Sequence, residues 1–181
     1  YLCRQRMETL QTLFTNGTYD KCFELAIKTL ENNPEDFDAL CYKGTCLAKL
    51  GRHVEAIDVL TGCISLKDDL FFLWVTRGDS FYELKDFSRA FSDYWVSLQH
   101  EATNGAVMDK CARALFLLGD EKFALDYIQR AIKVGESPEP VLVMINMLDR
   151  MKFPSYALSV ARMGASKFPT EKRFVEIIKS R

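Results

Sequence analysis

No stretch of this chain approaches the roughly 20 apolar residues that a membrane-spanning helix requires. The longest apolar cluster is Leu70-Phe71-Phe72-Leu73-Trp74-Val75. The chain also lacks an excess of either charge: 24 lysines and arginines stand against 25 aspartates and glutamates, a net charge of −1. A nucleic-acid partner usually calls for a basic excess or a basic face, so the overall balance gives that class no support. Only two histidines are present, His53 and His100, and no Cys/His cluster has metal-site spacing. The six cysteines, Cys3, Cys22, Cys41, Cys46, Cys63 and Cys111, contain no CxxC pair. Free thiols in a reducing, cytoplasmic compartment are the expectation. The nine glycines are dispersed and build no phosphate-cradling loop. These gaps lead us to expect no enzyme, no metal and no cofactor. An initiator Met is missing as well: the chain begins at Tyr1, and we expect a piece of a longer protein.

What the chain does contain is a period. Gly44 and Gly78 stand 34 residues apart, as do Ala56 and Ala90, Leu50 and Leu84, and Leu40 and Trp74. Within each half-period the apolar residues recur at spacings of three and four, the signature of amphipathic helices. Turn signals separate the halves at Leu50-Gly51 and Leu118-Gly119, and the periods at Asn33-Pro34, Ser137-Pro138 and Phe168-Pro169. Small residues at fixed places, Gly44/Ala56 and Gly78/Ala90, mark where two helices cross closely, because a larger side chain would hold them apart. Cys63, Ser97, Ala131 and Gly164 keep a further inter-helix position small, and Cys22 and Cys63 are expected to be buried. The acidic pairs Glu35-Asp36 and Asp68-Asp69 fall at helix starts, where carboxylates cap.

A helix–turn–helix period of 34 with this small-residue pattern resembles the tetratricopeptide repeat. The resemblance implies an all-α fold, a right-handed α-solenoid of antiparallel helix pairs. It divides the chain into repeats at about 3–36, 37–70, 71–104, 105–137 and 138–171, with a capping helix at 171–181, in a single domain over 1–181. Leu10 and Ile145 stand where the family prefers glycine. The RNA-reading pentatricopeptide family has a period of 35 and fits the turns less well.

The family binds other proteins in a concave groove lined by the first helix of each pair. The groove positions that the resemblance implies include Phe14, Tyr42, Thr45, Phe72, Thr76, Tyr82, Lys110, Arg113 and Phe116. The rings suit an extended peptide or an amphipathic helix of a partner protein, and Lys110 and Arg113 suit an acidic group on it. The implied function is a non-catalytic adaptor or scaffold. Chaperone-binding members clamp the terminal carboxylates of heat-shock chaperones with Lys, Asn and Arg from three successive repeats. The corresponding positions here hold Met7, Gln11, Tyr42, Phe72 and Thr76 in one frame, and Cys41, Thr45, Thr76, Ala106 and Lys110 in the next. A third frame gives Val75, Asp79, Lys110, Glu139 and Val143. None builds the cationic cradle that a carboxylate needs. Two features fit an alternative role, assembly of a larger complex or self-association through convex or end surfaces. One is Trp95. The other is the segment from Arg150 to Arg181, where eight cations meet only Glu171 and Glu176.

Overall fold

The computed structural model describes residues 2–135 and 137–181, with side chains from residue 9 onward. Cys3 and Met7 therefore lie outside the described side chains. The described residues form eleven α-helices and no strand, in two compact units, Tyr1–His100 and Glu101–Arg181. The first unit contains α1 (Leu2–Thr15), α2 (Tyr19–Asn32), α3 (Phe37–Lys49), α4 (His53–Leu66), α5 (Phe71–Glu83) and α6 (Phe87–His100). The second contains α7 (Gly105–Leu117), α8 (Glu121–Val134), α9 (Glu139–Arg150), α10 (Pro154–Lys167) and α11 (Lys172–Lys179). The all-α class expected from the period is what the chain adopts.

The period is written in the backbone. The first helix of each pair ends on a residue in the left-handed region: Gly17, Gly51, Lys85, Gly119 and Lys152, with φ between 63° and 85°. At each, its N–H and that of the following residue turn back onto the helix, as in Gly51 N–H to Ala48 O (3.2 Å) and Arg52 N–H to Leu47 O (2.9 Å). This closure satisfies carbonyls that the helix end leaves orphaned. Lys85 and Lys152 do the same job without glycine's freedom, so sequence punctuation marks only three of the five turns. At the N-termini, Asp36 accepts from Ala39 N–H (3.0 Å) and Asn104 from Val107 N–H (3.1 Å). Asp68 and Asp69 do not cap. The cap position of α5 falls one residue later, on Leu70, and Trp74 Nε1–H donates to the Asp68 carbonyl (2.8 Å).

Close crossing explains the small residues. A methyl group on Gly44 would stand 2.9 Å from Leu60 Cδ2, on Gly78 2.7 Å from Tyr94 Cε1, and on Gly164 2.7 Å from Phe174 Cε1. Ala56, Ala90, Ala124 and Ala157 are fully buried. Where the family's glycine is replaced, the side chain joins the core: Leu10 and Ile145 are both buried. Around these contacts the first unit builds two apolar clusters. One joins Leu10, Cys22, Ala26, Ala39 and Cys46, and the other Cys41, Leu47, Ala56, Leu60, Cys63, Ile64 and Leu73. In the second unit one cluster joins Val141, Ile145, Leu148, Ala157, Ala161 and Phe174. Phe174 comes from α11, so this last helix closes the apolar side of the α9–α10 pair.

Candidate partner-binding face

In the first unit α3 lies against both α1 and α5, so three first-of-pair helices stand side by side. Phe14 on α1 and Tyr42 on α3 meet across that line, their ring centroids 5.8 Å apart and edge to face. Phe14 also stands edge-on to Tyr19 at 5.3 Å. Both Phe14 and Tyr42 are half-buried, resting on the cluster of Leu10, Cys22, Ala26, Ala39 and Cys46. Burial raises the Tyr42 phenol above its ordinary range, which keeps it a neutral hydroxyl. Phe72, at the start of α5, is the most open of the expected rings in this unit, 39% exposed, and stands edge-on to Phe71.

The other expected residues of this unit are more enclosed. Thr45 is buried and its hydroxyl donates back to the Cys41 carbonyl (2.9 Å). Thr76 donates to the Phe72 carbonyl (2.7 Å). Tyr82 is half-buried, edge-on to Phe87 of α6 at 5.2 Å. The face thus offers ring edges and few unsatisfied polar groups.

The remaining three residues belong to the second unit, where α7 lies against α9. Arg113 Nε–H donates to Asp109 Oδ2 (2.7 Å), one turn earlier on the same helix, so its charge is matched locally. Lys110 is half-buried. The Phe116 ring lies beneath the Arg150 guanidinium, 4.8 Å from its centroid. Trp95 is 47% exposed on α6, next to fully buried Tyr94.

The described cysteines are all buried and unbridged. Burial pushes the Cys111 thiol up to about 12 and raises Cys22 and Cys46. Cys41 and Cys63 share a thiol hydrogen bond that raises the former and lowers the latter. Among the described residues, no three His, Cys, Asp or Glu side chains are grouped to hold a metal ion. Nor is any described helix long and apolar enough to cross a membrane.

The structure adds one feature that the spacing does not announce. Arg77 of α5 and Asp93 of α6 form a two-pronged ion pair, with Nε–Oδ2 and Nη2–Oδ1 both 2.8 Å. The side chains are only 14% and 6% exposed. A third guanidinium N–H reaches Thr61 Oγ1 of α4 (3.0 Å), and the Trp74 ring lies 5.0 Å below. Two opposite charges 16 residues apart in a chain of balanced charge carry no distinguishing sequence signal.

Repeated helix pairs with small crossing residues define a helix-pair repeat protein. Residues 25–58, one full period, match the family model of the tetratricopeptide repeat. Two proteins of Plasmodium falciparum, each called Hsp70-Hsp90 organising protein, are 26% identical over 110 residues. That alignment covers 60% of this chain and 44% and 20% of theirs, so the chain spans less than half the length of these curated relatives. Among solved structures, MamA superposes with a TM-score of 0.80 at 13% identity, covering 91% of this chain and 96% of that one. MamA from Desulfovibrio magneticus gives 0.83 at 14%, with coverages of 93% and 96%. A thermophilic TPR protein of Thermus thermophilus gives 0.73 at 16%, with 98% and 97%. At these identities the structural likeness is one of fold. Residues 25–58 thus match a tetratricopeptide repeat, a kind of repeat found in protein-interaction modules, and the described residues adopt the all-α solenoid fold of the solved structures they resemble.

Proposed function

We propose that the chain is a non-catalytic binding module whose α1–α3–α5 face receives a peptide or amphipathic helix of a partner protein. Five helix pairs and the closing helix α11 form its interaction domain. The observation that carries this reading is the row of three first-of-pair helices with Phe14 and Tyr42 in contact across it and Phe72 open beside them. Rings supply apolar area at low cost in side-chain entropy, and the neutral Tyr42 hydroxyl supplies orientation. The name of the Plasmodium relatives raises the recognition of chaperone tails. The clamp frames here argue against it: Cys41 and Thr45 are buried, and Phe72 and Thr76 bring no cation.

Selection of random peptides displayed on phage against the immobilised chain tests the reading. It should enrich apolar peptides, and Phe72→Ala combined with Tyr42→Phe should weaken the best of them about tenfold or more. The melting temperature should stay within a few degrees, because Phe72 is open and Tyr42→Phe keeps the ring. Unchanged affinity in that variant would overturn the assignment of the face.

A further inference from the structure

The eight cations between Arg150 and Arg181 divide into two sets. Four are engaged inside the second unit. Arg150 covers Phe116, and Lys167 Nζ donates to the Ile132 carbonyl (2.9 Å) at the end of α8. Arg173 bridges Glu139 and Glu171 (3.0 and 2.7 Å), holding the Glu171 carboxyl down at about 2. Arg181 pairs with Asp149. The other four, Lys152, Arg162, Lys172 and Lys179, are exposed and meet no carboxylate among the described residues. No acidic residue occurs anywhere from Lys152 to Thr170, so α10 presents cations without compensation.

The same helix presents apolar surface. Tyr156 and Met163, seven residues apart and so on one face, are 68% and 43% exposed. Phe153, at the N-cap of α10, is exposed too, its ring edge-on to Tyr156 at 6.3 Å. Ser159 lies between Tyr156 and Met163 on that face and donates to the Ser155 carbonyl (3.1 Å), so it asks for no partner. Arg162 borders this stripe along the helix and Lys152 borders its start. α11, packed against α10, adds Lys172 and Lys179 together with one exposed carboxylate, Glu176.

We infer that the outer face of α10 is a second docking surface, and that it takes an acidic amphipathic segment of another protein. Carboxylates of that segment meet Arg162 and Lys152, and its large apolar side chains lie on Phe153, Tyr156 and Met163. Charge complementarity sets the sign of the partner, because α10 and the turn before it carry Lys152 and Arg162 and no carboxylate. The ratio of apolar to charged groups sets its class. Three open apolar side chains flanked by two cations suit a protein segment, whereas a nucleic acid draws its affinity from neutralising many phosphates.

The probe is a fluorescein-labelled synthetic amphipathic peptide with glutamate on one face and leucine and phenylalanine on the other. Its anisotropy is followed with the full chain. Tyr156→Ala and Arg162→Gln should each raise Kd about tenfold. Added salt should weaken the wild-type complex more than the Arg162→Gln complex. Val54→Ala, at an exposed apolar residue of α4 in the first unit, should leave Kd unchanged, which shows that the peptide does not simply read any open apolar side chain. Replacing the peptide's glutamates by lysine should abolish binding. The altered residues are exposed, and circular dichroism checks that each variant is folded. The inference is overturned if the glutamate peptide does not bind or if both variants bind it like wild type. It is also overturned if single-stranded oligouridylate or phosphatidylserine vesicles bind this face more tightly than the peptide does.

Discussion

Asp93→Ala will lower the stability of the first unit by about 3–5 kcal/mol, the usual cost of removing one partner from a buried ion pair. Chemical denaturation of the full chain, followed through circular dichroism, reads that loss. The size follows from what is left behind. Arg77 keeps one hydrogen bond to Thr61 and its stacking on Trp74, but its charge no longer has a counter-ion and its side chain is only 14% exposed. Burial raises the Asp93 carboxyl above its ordinary range while Arg77 pulls it down, so desolvation and pairing oppose one another at this site. The double change Arg77→Met with Asp93→Leu should therefore recover a large part of the loss, since well-packed apolar groups often replace a buried pair at little cost. A loss below about 1 kcal/mol in Asp93→Ala would mean that the pair behaves as a screened surface bridge.

Gly78→Ala will destabilise the same unit although alanine is the better helix former. Propensity favours alanine by about 1 kcal/mol, and overpacking a tight contact costs about 1–3 kcal/mol. The second effect wins because Tyr94 has nowhere to go. It is 1% exposed and its hydroxyl donates to Asp79 Oδ1 (2.8 Å), while the new methyl would lie 2.7 Å from its Cε1. Asp93 Cβ, 3.2 Å away, is held by the Arg77 pair. The net loss should reach up to about 2 kcal/mol for alanine and about 3 kcal/mol for Gly78→Val. Gly62, on α4, is the control: a methyl there meets nothing within 4 Å. Gly62→Ala should stabilise by up to about 1 kcal/mol. Thermal melts of the two alanine variants should move in opposite directions; shifts of the same sign would contradict the close-crossing explanation of the period.

The fold was legible because its main constraint repeats. Gly44, Gly78, Ala56 and Ala90 are small for one steric reason, and a steric reason repeated every 34 residues leaves a visible spacing. The turns at Gly51 and Glu83-Leu84-Lys85 share one backbone shape, yet only the first announces it, since Lys85 adopts the left-handed conformation without being glycine. The candidate site was legible in outline only. A helical wheel places Thr45 and Phe72 on comparable faces, but whether a residue is open depends on its neighbours from other helices. Thr45 is buried while Phe72 is open. The charge count of the basic end was legible as a sum. Its division into four engaged cations and four that meet no carboxylate among the described residues was not, because partners such as Glu139 for Arg173 and the Ile132 carbonyl for Lys167 lie 34 and 35 residues away.

Hydrogen–deuterium exchange of the full chain, with and without the best phage-selected peptide, tests the central claim most directly. A bound segment slows exchange where it excludes water and holds helices closed. The account predicts slowing in α1, α3 and α5, centred on the turns that carry Phe14, Tyr42 and Phe72. Slowing confined to other helices, with α1, α3 and α5 unchanged, would contradict it.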